Sequence, residues 1–90
     1  MKLVVTIVGR DQVGIVAMVS GILAEQRVNI VNVNQNIMDG FFNMVMIVEM
    51  PDDAGMRLKE LQALLREKGE EYGLDIKLQH QEIFQVMHSI

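Results

Sequence analysis

The stretch Val28-Asn29-Ile30-Val31-Asn32-Val33-Asn34-Gln35-Asn36-Ile37-Met38-Asp39-Gly40-Phe41-Phe42-Asn43-Met44-Val45-Met46-Ile47-Val48-Glu49-Met50 decides the fold. Its first half alternates: Ile30, Asn32, Asn34 and Asn36 point to one side of an extended chain, Val31, Val33 and Ile37 to the other. Asp39-Gly40 tolerates positive φ at both central turn positions and closes a tight hairpin. The second half is apolar on both sides, with Phe42, Met44, Met46 and Val48 against Phe41, Val45 and Ile47, until Pro51 stops it. The run therefore predicts an edge strand over 28–38 paired with a doubly buried strand over 41–50.

Upstream, Leu3-Val4-Val5-Thr6-Ile7-Val8 is a β-branched run ended by Gly9, another strand buried on both faces. Asp11 stands where a helix N-cap belongs, ahead of Val16, Val19 and Leu23 at helical spacing, flanked by Ile15, Met18 and Ile22. The pattern predicts a helix over 13–26, in which the small Ser20 and Gly21 mark close backbone approach. Downstream, Asp52 or Asp53 caps a second helix carrying Leu58, Leu61, Leu64 and Leu65, with Gly69 and Gly73 bracketing its end near Tyr72. A last strand turns Leu74, Ile76 and Leu78 inward and Asp75, Lys77 and Gln79 outward. In the tail 81–90, Ile83, Phe84, Val86 and Met87 lie close together and suggest a short C-terminal helix.

The order strand, helix, strand, strand, helix, strand is two split βαβ units, an α+β ferredoxin-like βαββαβ sandwich with both helices on one face of a four-stranded antiparallel sheet. The doubly apolar first and third strands belong in the middle and the alternating second and fourth at the edges. With right-handed crossovers the spatial order is 4-1-3-2. No linker, repeat or low-complexity stretch divides the chain: the expectation is a single domain over 1–90, with a core over about 2–80 and the tail beyond it.

Composition narrows the function. Ninety residues bury about 64% of the unfolded surface by the usual scaling, enough for one core. Only 4% of the residues are aromatic and eight are Met, so flexible aliphatic packing builds that core. A net charge of −4 with scattered Lys and Arg gives no field for a phosphate backbone, so nucleic acid is not an expected partner. With no Cys and with His80 and His88 far apart, neither a disulfide nor a metal site is expected. The opening apolar run is too short to span a bilayer and lacks a signal-peptide cleavage region, so no membrane partner and a cytoplasmic location are expected.

The residues with chemical potential sit at the first strand-to-helix turn, Gly9-Arg10-Asp11-Gln12-Val13-Gly14-Ile15. A helix N-terminus presents unbonded N–H groups and partial positive charge, which suit a carboxylate. Gly14 lets a ligand approach the backbone, and Asp11 could attract an ammonium group. Together these would receive an amino acid. The structural alternative is that Asp11 only caps the helix and Gly14 only packs tightly. On the second strand Asn32, Asn34, Gln35 and Asn36 either line a ligand groove or form a solvated edge.

Taken in order, Gly9-Arg10-Asp11-Gln12-Val13-Gly14-Ile15-Val16, Val28-Asn29-Ile30 and Gly40-Phe41-Phe42-Asn43-Met44 resemble the ACT domain. They are most similar to the amino-terminal ACT domains of formyltetrahydrofolate deformylases, to glycine-cleavage repressors and to small stand-alone ACT proteins. The last group shares the ending Ile83-Phe84-Gln85-Val86-Met87-His88-Ser89-Ile90. The resemblance implies a regulatory module that holds an amino acid or related small effector at a homodimer interface. It places the effector between the loop before the first helix and an Asn at the start of the second strand, which match Asp11 with Gly14 and Asn29. The candidate ligand-binding set is therefore Asp11, Gln12, Val13, Gly14 and Ile15 from the loop, with Asn29 and Asn32 from the second strand. Where such loops commonly read Asn-x-Pro-Gly, this one carries Asp11 and Val13.

Two further readings stand beside this one. A ligand-free interaction or oligomerisation module would need none of these side chains. An acylphosphatase-like enzyme would use a Gly-Arg loop after the first strand, but the spacing differs by one residue and Asp11 would repel a phosphate. No acid, base and nucleophile set is visible, so neither catalysis nor a cofactor is expected. With both helices on one face, the apolar face of the central strands needs a cover, either the C-terminal tail or, preferably, a second copy.

Overall fold

A computed structural model describes residues 1–51 and 55–82. The elements are β1 (Lys2–Arg10), α1 (Ile15–Glu25), β2 (Asn29–Met38), β3 (Phe41–Glu49), α2 (Gly55–Tyr72) and β4 (Leu74–His80). They form one antiparallel sheet in the order β2-β3-β1-β4, which is the expected order read from the other edge. The proposed helix caps Asp52 and Asp53 and the tail from Ile83 to Ile90 lie outside the described residues.

Both helices pack on one face. Leu3, Val5 and Ile7 of β1, Phe42, Met44, Met46 and Val48 of β3, and Leu74, Ile76 and Leu78 of β4 point into a single core with Val19, Leu23, Leu61 and Leu65. Asp39 and Gly40 both have positive φ, 52° and 80°, so the hairpin turns as the Asp-Gly pair requires. At the end of α1, Arg27 takes the left-handed conformation, the Val28 N–H donates to the Leu23 carbonyl and the Arg27 N–H to the Ala24 carbonyl. This is a Schellman closure. Buried Val28 supplies its apolar lock.

Several local expectations need correction. The first helix starts at Ile15, not Val13, and ends at Glu25; Asp11 does not cap it, since the N-cap is Gly14 and no side chain caps the end. The cause is β1, which runs on to Arg10 opposite Phe41 and carries Asp11 past the helix start. The second helix ends at Tyr72, between Gly69 and Gly73 as expected, with Gly69 pressed against the Leu74 carbonyl. Gly21 faces open space, so no close approach explains it. A register shift between Ile30 and Asn32 makes Val31 a bulge and puts Ile30 on the helix side, away from the asparagines. The helix layer also stops short of β2, whose residues are exposed apart from half-buried Ile30, Val33 and Ile37 included.

The other face of the sheet carries, by strand pairing, Asn32, Asn34 and Asn36 of β2, Asn43, Val45 and Ile47 of β3, Val4, Thr6 and Val8 of β1, and Asp75, Lys77 and Gln79 of β4. Its apolar centre is not uniformly open. Val4 is 1% exposed and Val8 45%.

Candidate functional site

The turn from β1 into α1 is built by three backbone devices. The Asp11 N–H donates to the Gly40 carbonyl at 2.9 Å, docking the loop on the β2–β3 hairpin. Gly14 then takes φ 92°, a left-handed conformation that reverses the chain into the helix with no neighbour near its missing Cβ. The first helical bond follows, from the Met18 N–H to the Gly14 carbonyl at 2.9 Å. The N–H groups of Ile15, Val16 and Ala17 thus precede the helical ladder, the donor set to which an anion can bind.

Gln12 braces the same loop from the other side. Its Nε2 donates to the Tyr72 carbonyl at 2.8 Å and, more weakly, to the Arg10 carbonyl at 3.4 Å. The Tyr72 bond holds the loop to the end of α2. No sequence signal could have shown the Tyr72 bond, since sixty residues separate the two partners. Asp11 is exposed, and its carboxylate has no side-chain partner among the described residues. Val13 is 99% exposed and projects into solvent, while Ile15 is buried in the core. Asp11, Gln12, Val13, Gly14 and Ile15 therefore form one continuous feature.

Asn29 and Asn32 do not join it within one chain. Asn29 pairs with Glu49 at the far end of β3, whereas the loop lies beside Phe41 and Gly40 at its near end. At the usual strand rise the length of β3 separates them by about 27 Å. Asn32, opposite Ile47, is only slightly nearer. Both are exposed on β2, the free edge of the sheet.

Sequence reasoning expected exposed apolar surface on the central strands but missed its continuation at Val13, Val16, Ile37 and Met38. Val8, Val13, Val16, Ile37, Met38 and Phe41 are all exposed, and pairing and connectivity place them around the hairpin and the start of α1. The loop residues line neither the depression between the helices, walled by Leu61 and Leu64, nor that beside β4, walled by Gln62 and Ile76. Among the described residues, no group of three or more His, Cys, Asp or Glu could hold a metal ion. No described helix is long and apolar enough to cross a membrane.

Comparison with known proteins agrees with this fold. The ACT domain family matches residues 1–79. A UPF0237 protein of Neisseria meningitidis serogroup A is 46% identical over 87 residues, covering 97% of this chain and 96% of that one. A UPF0237 protein of Clostridium perfringens is 43% identical over 90 residues and all of both chains. Among solved structures, an ACT domain protein from Streptococcus pneumoniae superposes with a TM-score of 0.73 at 34% identity, covering 94% of each chain. A match over most of the sequence, the shared length of these relatives and the common fold lead to one conclusion: the chain belongs to the ACT domain family.

Proposed function

We propose that this ACT domain is a regulatory module, not an enzyme, and that it binds an amino acid or a related small effector at a homodimer interface. The observation that carries the reading is the exposed apolar surface at the hairpin end of the sheet, Ile37, Val13 and Val16 with Met38, Val8 and Phe41 on the opposite sheet face, beside a helix start whose Asp11 carboxylate neither caps the helix nor has a partner among the described residues. Clusters of this kind on a small protein mark a surface that a partner or ligand covers. The effector's carboxylate would meet the N–H groups at the start of α1 and its ammonium group would meet Asp11.

The distant Asn29 fits the same reading. If two copies pair along their free β2 edges about a two-fold axis, the strands run antiparallel. The start of one β2 then lies beside the end of the other. That brings the partner's Asn29 to this chain's Met38 and hairpin, next to the loop. The site is then shared, with Asp11 and Gly14 from one copy and Asn29 from the other.

A thermal-shift screen of the twenty amino acids at millimolar concentration finds the ligand, since saturation at 100 times the dissociation constant adds about 2.7 kcal/mol. Calorimetry then tests the site. Asp11→Ala and Asn29→Ala should each weaken binding about tenfold or more, equivalent to about 1.4 kcal/mol. A mixed dimer of one Asp11→Ala chain and one Asn29→Ala chain should regain one full-affinity site per dimer. Recovery of none would place both residues in one chain's site and refute the shared geometry. If no amino acid shifts the melting temperature, the ligand-free oligomerisation module takes over.

A further inference from the structure

Asp39 and Gly40 form the exposed tip of the β2–β3 hairpin and belong to neither strand, while Met38 and Phe41 pair across them. The ladder bonds of a two-residue turn belong to those flanking residues, so the Gly40 nitrogen stands outside them. Glycine brings no side chain to shield that nitrogen, and nothing lies within 4 Å of the place a Cβ would take. The Asp39 carboxyl has neither an ion pair nor a hydrogen bond among the described residues. A carboxyl carbon and an unshielded amide nitrogen placed in this way can close a five-membered ring. Asp11 and Asp75, the other aspartates among the described residues, precede Gln12 and Ile76, whose side chains crowd the corresponding nitrogen. Asp75 is also held within the paired strand β4.

We infer that Asp39 is a spontaneous modification site, whose conversion to isoaspartate releases the loop before α1 from the hairpin. The Gly40 nitrogen attacks the side-chain carbonyl carbon of Asp39. A C–N bond forms, and the amide proton leaves with the carboxyl hydroxyl as water. A second water then opens the succinimide. Attack at the side-chain carbonyl restores aspartate. Attack at the main-chain carbonyl leaves the backbone running through Cγ, with a free carboxylate on Cα and no net change of mass. The product carries an extra backbone carbon. A two-residue turn closes with both central residues at positive φ, 52° and 80° here, and has no place for a further backbone atom. The Gly40 carbonyl moves with the turn, and it is the acceptor of the Asp11 N–H at 2.9 Å. The loop then keeps only its other tie, from Gln12 to the Tyr72 carbonyl. The new Cα carboxylate is the group that an isoaspartate-specific O-methyltransferase esterifies, which names the class of enzyme able to reverse the change. The modification needs no effector.

The folded chain, kept for weeks in warm neutral buffer, is digested with a protease that cleaves before aspartate but not before isoaspartate. Mass spectrometry of the fragments should show isoaspartate at Asp39 at about ten times the level at Asp11 or Asp75, or more, because only Asp39 precedes a glycine. Asp39→Asn should close the same ring with loss of ammonia, so its mass rises to that of the aspartate chain. The isomerised chain is then separated by chromatography and placed in deuterium oxide. Its Asp11 amide should exchange about tenfold faster than before, while the core amides of Val5 and Met46 keep their protection. Isoaspartate that forms only in urea, or equally at all three aspartates, would overturn the assignment of the site, as would a constant mass in Asp39→Asn. An unchanged exchange rate at Asp11, or lost protection at Val5 and Met46 as well, would overturn the release of the loop.

Discussion

Gly69→Ala and Gly21→Ala make the same chemical change in two helices, and the structure assigns them opposite signs. A Cβ at Gly69 would lie 2.8 Å from the Leu74 carbonyl oxygen and 3.0 and 3.1 Å from Ile76 Cγ1 and Cδ1. Relief to an ordinary contact of 3.4 Å needs a shift of about 0.6 Å between α2 and β4. β4 cannot drift freely, because it is paired with β1 from Leu74 to His80. Overpacking of this kind costs about 1–3 kcal/mol, against about 1 kcal/mol gained from replacing a helical glycine by alanine. Gly69→Ala should therefore destabilise by about 1 kcal/mol net. At Gly21 nothing lies within 4 Å, so only the gain of about 1 kcal/mol remains. Urea unfolding followed by circular dichroism, at one fixed protein concentration, should split the midpoints by about 1–2 M around the wild type. A Gly69→Ala protein as stable as Gly21→Ala would show that α2 does not rest on β4 through its backbone.

Leu23→Ala and Leu61→Ala should each lose about 2–5 kcal/mol in the same assay, since both side chains are buried among the strands' apolar faces. A loss below about 1 kcal/mol at either would mean that the wrong helix face is buried. Gly14→Ala should cost about 1–2 kcal/mol through its left-handed φ of 92° alone, because the space around it is empty; Gly14→Asn, which tolerates that conformation better, should recover part of it. Light scattering at micromolar concentration should give twice the chain mass, and a strictly monomeric value would contradict the homodimer.

The sheet was legible because burial writes itself into strands directly. Runs apolar on both sides, as in Leu3 to Val8 and Phe41 to Met50, can only be central, and the Asp39-Gly40 turn leaves one way to join β2 to β3. Periodicity fails where one residue changes the phase. The bulge at Val31 does not interrupt the alternating Asn residues, so Ile30 looks as if it shares their face. Composition also cannot show how far a helix layer reaches: Val33 and Ile37 alternate like core residues yet project beyond it. Gly69 and Gly73 mark the end of α2 in the sequence, but the sequence does not show the strand pressed against Gly69.

The loop before α1 shows the same limit at the candidate site, and it sharpens the case for function. By residue type Asp11 is a good N-cap, and a cap would have explained it fully. The structure gives its structural duties to others. Gly14 starts the helix, the Asp11 backbone N–H holds the hairpin, and the Gln12 amide holds the end of α2. An exposed carboxylate with no partner among the described residues contributes little to folding, so Asp11→Ala should change stability by no more than about 0.5 kcal/mol. Had it been a cap, the loss would be about 1 kcal/mol or more. Measured beside effector binding, the substitution therefore separates its two roles cleanly. Weakened binding with unchanged stability assigns the carboxylate to the ligand. A loss of stability with no effect on any amino acid's binding would mean that Asp11 supports the helix start after all.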